Sequence, residues 1–392
     1  MHKLQTTLLL NIGHALDHMF LLIFATAVTS IAKDFGKEFG IHRWEDLMPY
    51  GVAAFFFFGI GSLPAGRLGD LWGRRPMMIV FFIGIGLSAI LVSITQSPLQ
   101  LALALALLGC FASIYHPVGI PMLVQGETRP GRAIGINGLS GNLGLAAAAL
   151  VTGLFVKYFG WRMAFVIPGI FTLLLGVLFA FIVQPSPAPA TKKKSATGSH
   201  EGMSMRKLLL IMTIASTSGS MMFNFSTNSN FELLTDRFVQ ISQDPAQIGF
   251  YLAMVYAVAS FTQLLVGTLI DKIALKPLYL GIVAIQLVAL AAATTTGGWM
   301  FYASLILFMA AIFGAIPFTD AMIVRYVDDA MRSRVAGMRL AVALGASSLA
   351  VWLIGPIVKQ AGFGSLLAVM AVTSCITLLV VSQLPKQKAP AS

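Results

Sequence analysis

Apolar residues in this chain gather into long uninterrupted segments. One set lies near 4–32, 48–66, 76–95, 99–125, 133–157 and 163–183, and a second near 207–235, 246–270, 277–296, 299–326, 335–358 and 363–384. Stretches of about 18 residues or more read as membrane-crossing helices, so the pattern predicts twelve spans. The first segment is too long for a signal-peptide core and lacks an A-x-A cleavage pattern, which makes it the first span. Between the two sets, Gln184 to Arg206 carries Pro185, Pro187, Pro189 and Lys192 to Lys194 with several Ser and Gly, and it reads as a solvated linker. The expected organisation is an N-terminal six-helix bundle at 1–183, a linker at 184–206 and a C-terminal six-helix bundle at 207–392.

The two sets share landmarks. Gly66-x-x-x-Asp70 after the second helix recurs as Gly267-x-x-x-Asp271 after the eighth, 201 residues later. Arg132-x-x-Gly135 at the start of the fifth recurs as Arg334-x-x-Gly337 at the start of the eleventh, at an offset of 202. Two landmarks at nearly one offset argue for a duplicated unit, as in many secondary transporters. The fold class is therefore an all-α membrane protein with twelve transmembrane helices in two pseudo-symmetric bundles.

Composition narrows the class. Of 392 residues, 57% are apolar and 10% charged, where a soluble domain carries about a quarter charged. The 37 Gly and 17 Pro have no fixed short period, which excludes fibrous chains. The net charge of +11 sits mainly in the termini and the even-numbered connections. By the positive-inside rule it orients the chain, with both termini and the linker cytoplasmic in a bacterial inner membrane, and it is no nucleic-acid footprint. Cys110 and Cys375 fall in apolar segments outside any C-x-x-C pair. No P-loop, dinucleotide glycine fingerprint or G-x-S-x-G elbow occurs in a sensible context, so no nucleotide-driven pump is implied and the energy source is an ion or substrate gradient.

Gly66-Arg67-Leu68-Gly69-Asp70-Leu71-Trp72-Gly73-Arg74-Arg75 resembles the loop signature of the major facilitator superfamily. The second copy keeps Asp271, Lys272 and Lys276, with Ala274 in place of the second Gly. Gly13-His14-Ala15-Leu16-Asp17, Tyr115-His116-Pro117-Val118-Gly119 and Gly138-Leu139-Ser140-Gly141-Asn142-Leu143-Gly144 are similar to the fosmidomycin-resistance branch of that superfamily. The resemblance implies a central cavity that rocks between two open states, proton-coupled efflux of a drug-like or phosphonate-like compound, and antiport. It also implies a conformational latch of Gly66, Asp70, Arg74 and Arg75 with Arg334, and of Asp271 with Arg132. A loop whose charges only set topology is the plainer alternative.

His14, Asp17 and His18 stand at i, i+3 and i+4 of the first span and share one face. Ionisable groups inside a membrane helix by default line an aqueous cavity or a proton path. At about 1.5 Å per residue, His14, His116 and Asn142 all lie about 15 Å from the cytoplasmic ends, with Asp17 a turn further. Asp17 is the candidate proton carrier, with His14, His18 and His116 tuning it or touching substrate. Packing by hydrogen bonds is the alternative for the histidines. His14 and His18 also have a metal-ligand spacing, but a metal-dependent membrane enzyme needs several such boxes and this chain has one, so a transporter and no enzyme is expected. A carrier of a metal ion or metal chelate remains open, because His and Asp suit several divalent metals.

Tyr115, Asn142, Asn224 and Asn228 are candidate substrate-cavity residues; for the polar run from Asn224 to Asn230 the alternative is that the seventh helix ends near Asn224. Asp320 and Arg339 lie about 8–9 Å from the cytoplasmic side. They form either an ion pair or, through Arg339, a clamp for an organic anion. The glycines at 135, 138, 141 and 144 make a smooth strip for close helix approach. The expected partners are a small-molecule substrate, protons and the lipid bilayer, without nucleic acid, in a monomer; no cofactor and no resident metal are expected. Uptake of an organic anion or metal chelate is the alternative to efflux.

Overall fold

In lipid every backbone amide needs an internal partner, so long apolar runs become helices. The computed structural model describes residues 2–125, 127–184, 205–327 and 329–385; of these, the side chains of 2, 37, 130, 205, 324, 325, 329–334, 336–341 and 344 lie outside the described set. The described residues form helices and no strand: α1 His2–Phe39, α2 Trp44–Trp72, α3 Arg74–Ser93, α4 Pro98–Val124, α5 Pro130–Tyr158 and α6 Trp161–Ile182. The second half begins with α7 Met205–Arg237, α8 Pro245–Ile270, α9 Leu275–Thr295 and α10 Gly298–Tyr326. The last helical stretch, Asp329–Val381, turns at Gly362, whose φ of 75° suits only glycine, and so divides into α11 (329–361) and α12 (363–381). Twelve helices result among the described residues. Of the expected linker, residues 185–204 lie outside the described residues.

Large apolar side chains such as Phe181, Leu174, Val288 and Leu379 are exposed, an arrangement that lipid and not water favours. Within the first half α1 packs on α5, α3 on α6 and α2 on α4; the halves meet through α5 with α8, α2 with α11 and α1 with α7. The first two of these interfaces are related by the duplication. Of the glycine strip of α5 only Gly141 and Gly144 serve α1, since a Cβ at Gly144 would sit on the carbonyl of Ala15 and one at Gly141 would meet the His14 ring, whereas Gly135 and Gly138 have only Leu264 and Gln263 of α8 nearby.

The loop signature differs from its expected placement. Gly66 to Asp70 are the last helical turns of α2, and only Gly73 is a true turn, with φ of 97°. Its counterpart Ala274 has φ of −58°, so the second copy makes its turn without a left-handed residue.

Candidate functional site

Between the halves lies a cavity of about 380 Å³, lined from α1, α2, α4, α5, α7, α8, α9, α10 and α11. One wall carries His14, His18 and His116. His14 and His18 are one helical turn apart on α1, with ring centroids at 4.7 Å. His116 joins them because Tyr115–Gly119 is a π-helical turn inside α4. Pro117 has no N–H to give the regular ladder, and the widened turn aims His116 at α1. Its ring lies 5.1 Å from that of His14 and 5.9 Å from that of His18. The candidate ligand nitrogens of the three rings all lie within 4.8 Å of one another.

The His14 ring is held from behind. Its Nδ1 donates to the carbonyl of Asn137 at 2.7 Å, which leaves the buried Nε2 with a lone pair and no hydrogen-bond partner. Asn137 is itself held, its Nδ2 donating to Asn11 Oδ1 at 2.9 Å and to the Tyr115 hydroxyl at 2.7 Å. Tyr115 stacks on His14 at 4.7 Å and donates to the carbonyl of Leu10 at 2.7 Å. The structure thus corrects the expected place of Tyr115: it is fully buried off the cavity lining. Counting depth along α4 puts it level with His116, but the neighbouring residue on a helix faces about 100° away.

Asp17 is fully buried, off the cavity lining, and neither carboxylate oxygen has a hydrogen bond. The nearest polar approach recorded for it is His116 Nε2, 3.7 Å from Oδ2, too long for a hydrogen bond. An imidazole that takes up a proton there meets its counter-charge in place.

The opposite wall is neutral. α7 runs unbroken to Arg237, which rules out an end near Asn224 and makes the polar run part of the span. Asn224 Nδ2 donates to the Ser347 hydroxyl and to the carbonyl of Ser220, both at 2.9 Å. Asn228 lines the cavity and its buried Oδ1 has no partner. Between the walls Asn142 Nδ2 donates to Gln263 Oε1 of α8, and Phe55, Phe58 and Phe223 add apolar surface. Asp320 is exposed near the end of α10 and off the cavity lining, so it does not face a substrate here. The side chains of Arg339 and Arg334 lie outside the described residues.

Contacts between the halves close the cavity at the end opposite the chain termini. On the side opposite the chain termini, a Cβ at Gly153 would strike the Pro245 carbonyl and one at Gly355 the Glu45 carbonyl, so the halves touch backbone to backbone. There Lys157 of α5 pairs with Asp244 beside α8, and Lys359 of α11 with Asp46 of α2. On the terminal side Asp70 and Asp271 are exposed, and among the described residues neither carboxylate has an ion-pair partner. Arg74 Nη1 donates to the carbonyl of Pro121 at 2.9 Å and to Gln125 Oε1 at 3.2 Å, and Arg75 to the carbonyls of Val183 and Ala180, all within the first half. Arg132 is exposed and does not meet Asp271 in this state.

A family model described as Major Facilitator Superfamily matches residues 10–240, more than half of the chain. The chain belongs to the major facilitator superfamily. Membership sets aside the metal-dependent enzyme reading of His14 and His18. The puromycin resistance protein pur8 of Streptomyces alboniger is 32% identical over 139 residues, 35% of this chain and 27% of that protein. The multidrug resistance protein MdtG of Yersinia enterocolitica is 24% identical over 255 residues, 64% of this chain and 61% of that protein. The matches thus span about a quarter to three fifths of these curated relatives. The xylose transporter XylE from E. coli, in an inward open conformation, shares the fold with a TM-score of 0.78 at 15% identity, over 98% of this chain and 97% of that one. A bacterial homologue of the human lysosomal transporter Spinster gives a TM-score of 0.75 at 15% identity, over 96% and 94%.

Sequence reasoning missed Asn137 and Gln263. Both are polar positions inside spans, and that was their only signal; their partners are set by which helices cross.

Proposed function

We propose that this facilitator exports a small drug-like or phosphonate-like organic compound in exchange for protons, by alternating access in a bacterial inner membrane with both termini cytoplasmic. The observation that carries the reading is the unequal pair of walls: three imidazoles backed by the buried Asp17 on one side, and neutral amides and hydroxyls on the other. A buried carboxylate without hydrogen bonds is costly in its charged form, so it exchanges a proton when the cavity changes side. Asp17 is the proton carrier, and His14, His18 and His116 pass the proton to and from the cavity. Asn142, Asn224 and Asn228, with the phenylalanines, receive the organic body. The antibiotic and multidrug resistance relatives support export, and the resemblance of the His14, His116 and Asn142 motifs to the fosmidomycin-resistance branch suggests a phosphonate among the substrates. On this reading the terminal side is cytoplasmic, and the structure is the inward-facing state of a monomer.

The test is substrate-driven proton movement in proteoliposomes carrying an internal pH dye, with phosphonates, puromycin, organic acids and cationic drugs as the panel. Wild type and Asp17→Asn are run side by side. Proton movement that needs Asp17 is expected, and its sign separates antiport from symport. Equal proton movement in Asp17→Asn removes Asp17 as the carrier.

A further inference from the structure

The geometry points to a transition-metal site in the cavity: the imidazoles of His14, His18 and His116 bind a divalent late first-row metal of the zinc, cobalt and nickel class. The metal is cargo, presented as the hydrated ion or held in a small chelate with open coordination positions. The inference rests on the reading of this cavity as the substrate site.

Four observations converge on it. Three imidazoles from two helices bring their ligand nitrogens within 4.8 Å of one another. Tetrahedral ligation at about 2.0–2.1 Å separates nitrogens by about 3.4 Å, so the rings need to close by little more than an ångström. The hydrogen bond from His14 Nδ1 to the Asn137 carbonyl settles the tautomer and leaves the Nε2 lone pair free, as metal-ligating histidines are held from behind in known sites. The Tyr115 ring stacked on His14 and the Asn137 bonds to Asn11 and Tyr115 keep that orientation. The Asp17 carboxyl stands beside the group, its Oδ2 3.7 Å from His116 Nε2, and no Lys or Arg is found among the described lining residues.

The donor set also selects. Calcium and magnesium require oxygen ligands in number, and three imidazoles offer none. Imidazole suits zinc, copper, nickel and iron. At about 380 Å³ the cavity is far larger than a bare ion, and Phe55, Phe58 and Phe223 fit the organic part of a chelate.

Full-length protein without a polyhistidine tag, stripped with a chelator, is titrated with Co²⁺ and with Zn²⁺. One metal per chain is expected, with the visible absorption bands of four- or five-coordinate Co²⁺ and affinity lowered at least about tenfold in His18→Ala. Binding that is absent, or equal in His18→Ala, overturns the site. Should that variant fail to fold, the Zn K-edge spectrum of the wild type decides: three imidazole scatterers support the site, and fewer than two overturn it. Radioactive zinc given to proteoliposomes alone or as its citrate complex separates the two sources, and movement in either arm that is lost in His18→Ala supports the proposal. Proton movement driven by organic compounds in the presence of EDTA, with no zinc binding, overturns the metal site and leaves the efflux reading standing. Zinc binding without any organic-driven proton movement does the reverse.

Discussion

The two ends of the cavity are built from the same duplicated plan, yet among the described residues only the end opposite the termini shows ion pairs between the halves. Opposite the termini, Asp46 and Asp244 stand 198 residues apart in the chain and their partners Lys157 and Lys359 stand 202 apart, so the two ion pairs repeat each other across the pseudo-twofold. Glycines let the backbones meet beside each pair. On the terminal side the duplication supplies another matched set, Asp70 and Asp271, and both carboxylates are exposed without an ion-pair partner among the described residues. A pair of charges therefore marks a gate only when the helices that carry it have closed. Packed interfaces are bistable, so alternating access amounts to one set of contacts forming as the other parts.

The largest expected effect comes from holding the closed end open. Gly153→Leu places a side chain against the Pro245 carbonyl and Gly249. Overpacking of this kind costs about 1–3 kcal/mol, which moves a balanced two-state equilibrium by roughly tenfold or more. Transport should fall accordingly, and a Ser220→Cys reporter, in a background with Cys110 and Cys375 replaced, should react faster with an impermeant thiol reagent added on the side opposite the termini. Unchanged labelling would show that backbone contact does not seal this end.

Asp70→Asn acts on the other end. It should cut the transport rate several-fold while leaving substrate affinity within a few fold, because the proposed latch uses the carboxylate in the opposite, outward-facing state; full transport would remove the latch. Lys157→Ala combined with Lys359→Ala is milder. Partly exposed ion pairs contribute little each, so the reporter should open only a few fold, and substitution of either lysine alone should give about half that effect. A single variant as open as the double one would show that the two pairs do not share the work.

The smallest effect is that of pH on Asp244. The hydrogen bond from Lys157, together with the Ala246 amide, holds its carboxyl below the usual carboxylate value in spite of some desolvation. A lowered value in the closed state means that the contribution to closure is fully present above the ordinary carboxylate range and is lost as pH falls through the lowered value. Reporter labelling should therefore be flat in this respect from about pH 5 to 8 and rise only below about pH 4, a rise that Asp244→Asn should reduce and Asp244→Asn combined with Asp46→Asn should abolish. A rise near about pH 6 that survives in Asp244→Asn would place the sensitivity elsewhere, in the imidazoles.

Much of the site is legible in the order of residues alone. The i, i+4 relation of His14 and His18 needs only a helix, and counting depth brings His116 to their level. The same count misplaces Tyr115, because a depth carries no direction around the helix axis. Gly73 and Ala274 look like a simple substitution within the repeated signature, yet one turn uses a left-handed residue and the other does not.

What the chain determined by itself is one-dimensional: the number of spans, their order, the duplication, and how far into the membrane each polar residue sits. Apolar length and internal backbone hydrogen bonding decide those without reference to any neighbour. The meeting of three imidazoles, the Asn137 carbonyl behind His14, the Asn142 to Gln263 bond between the halves, and the choice of which end is closed belong to the tertiary structure. Each depends on the rotation and crossing of helices about their axes. In a bilayer that is set by side-chain packing between helices, because lipid tails leave no hydrophobic preference for one apolar face over another.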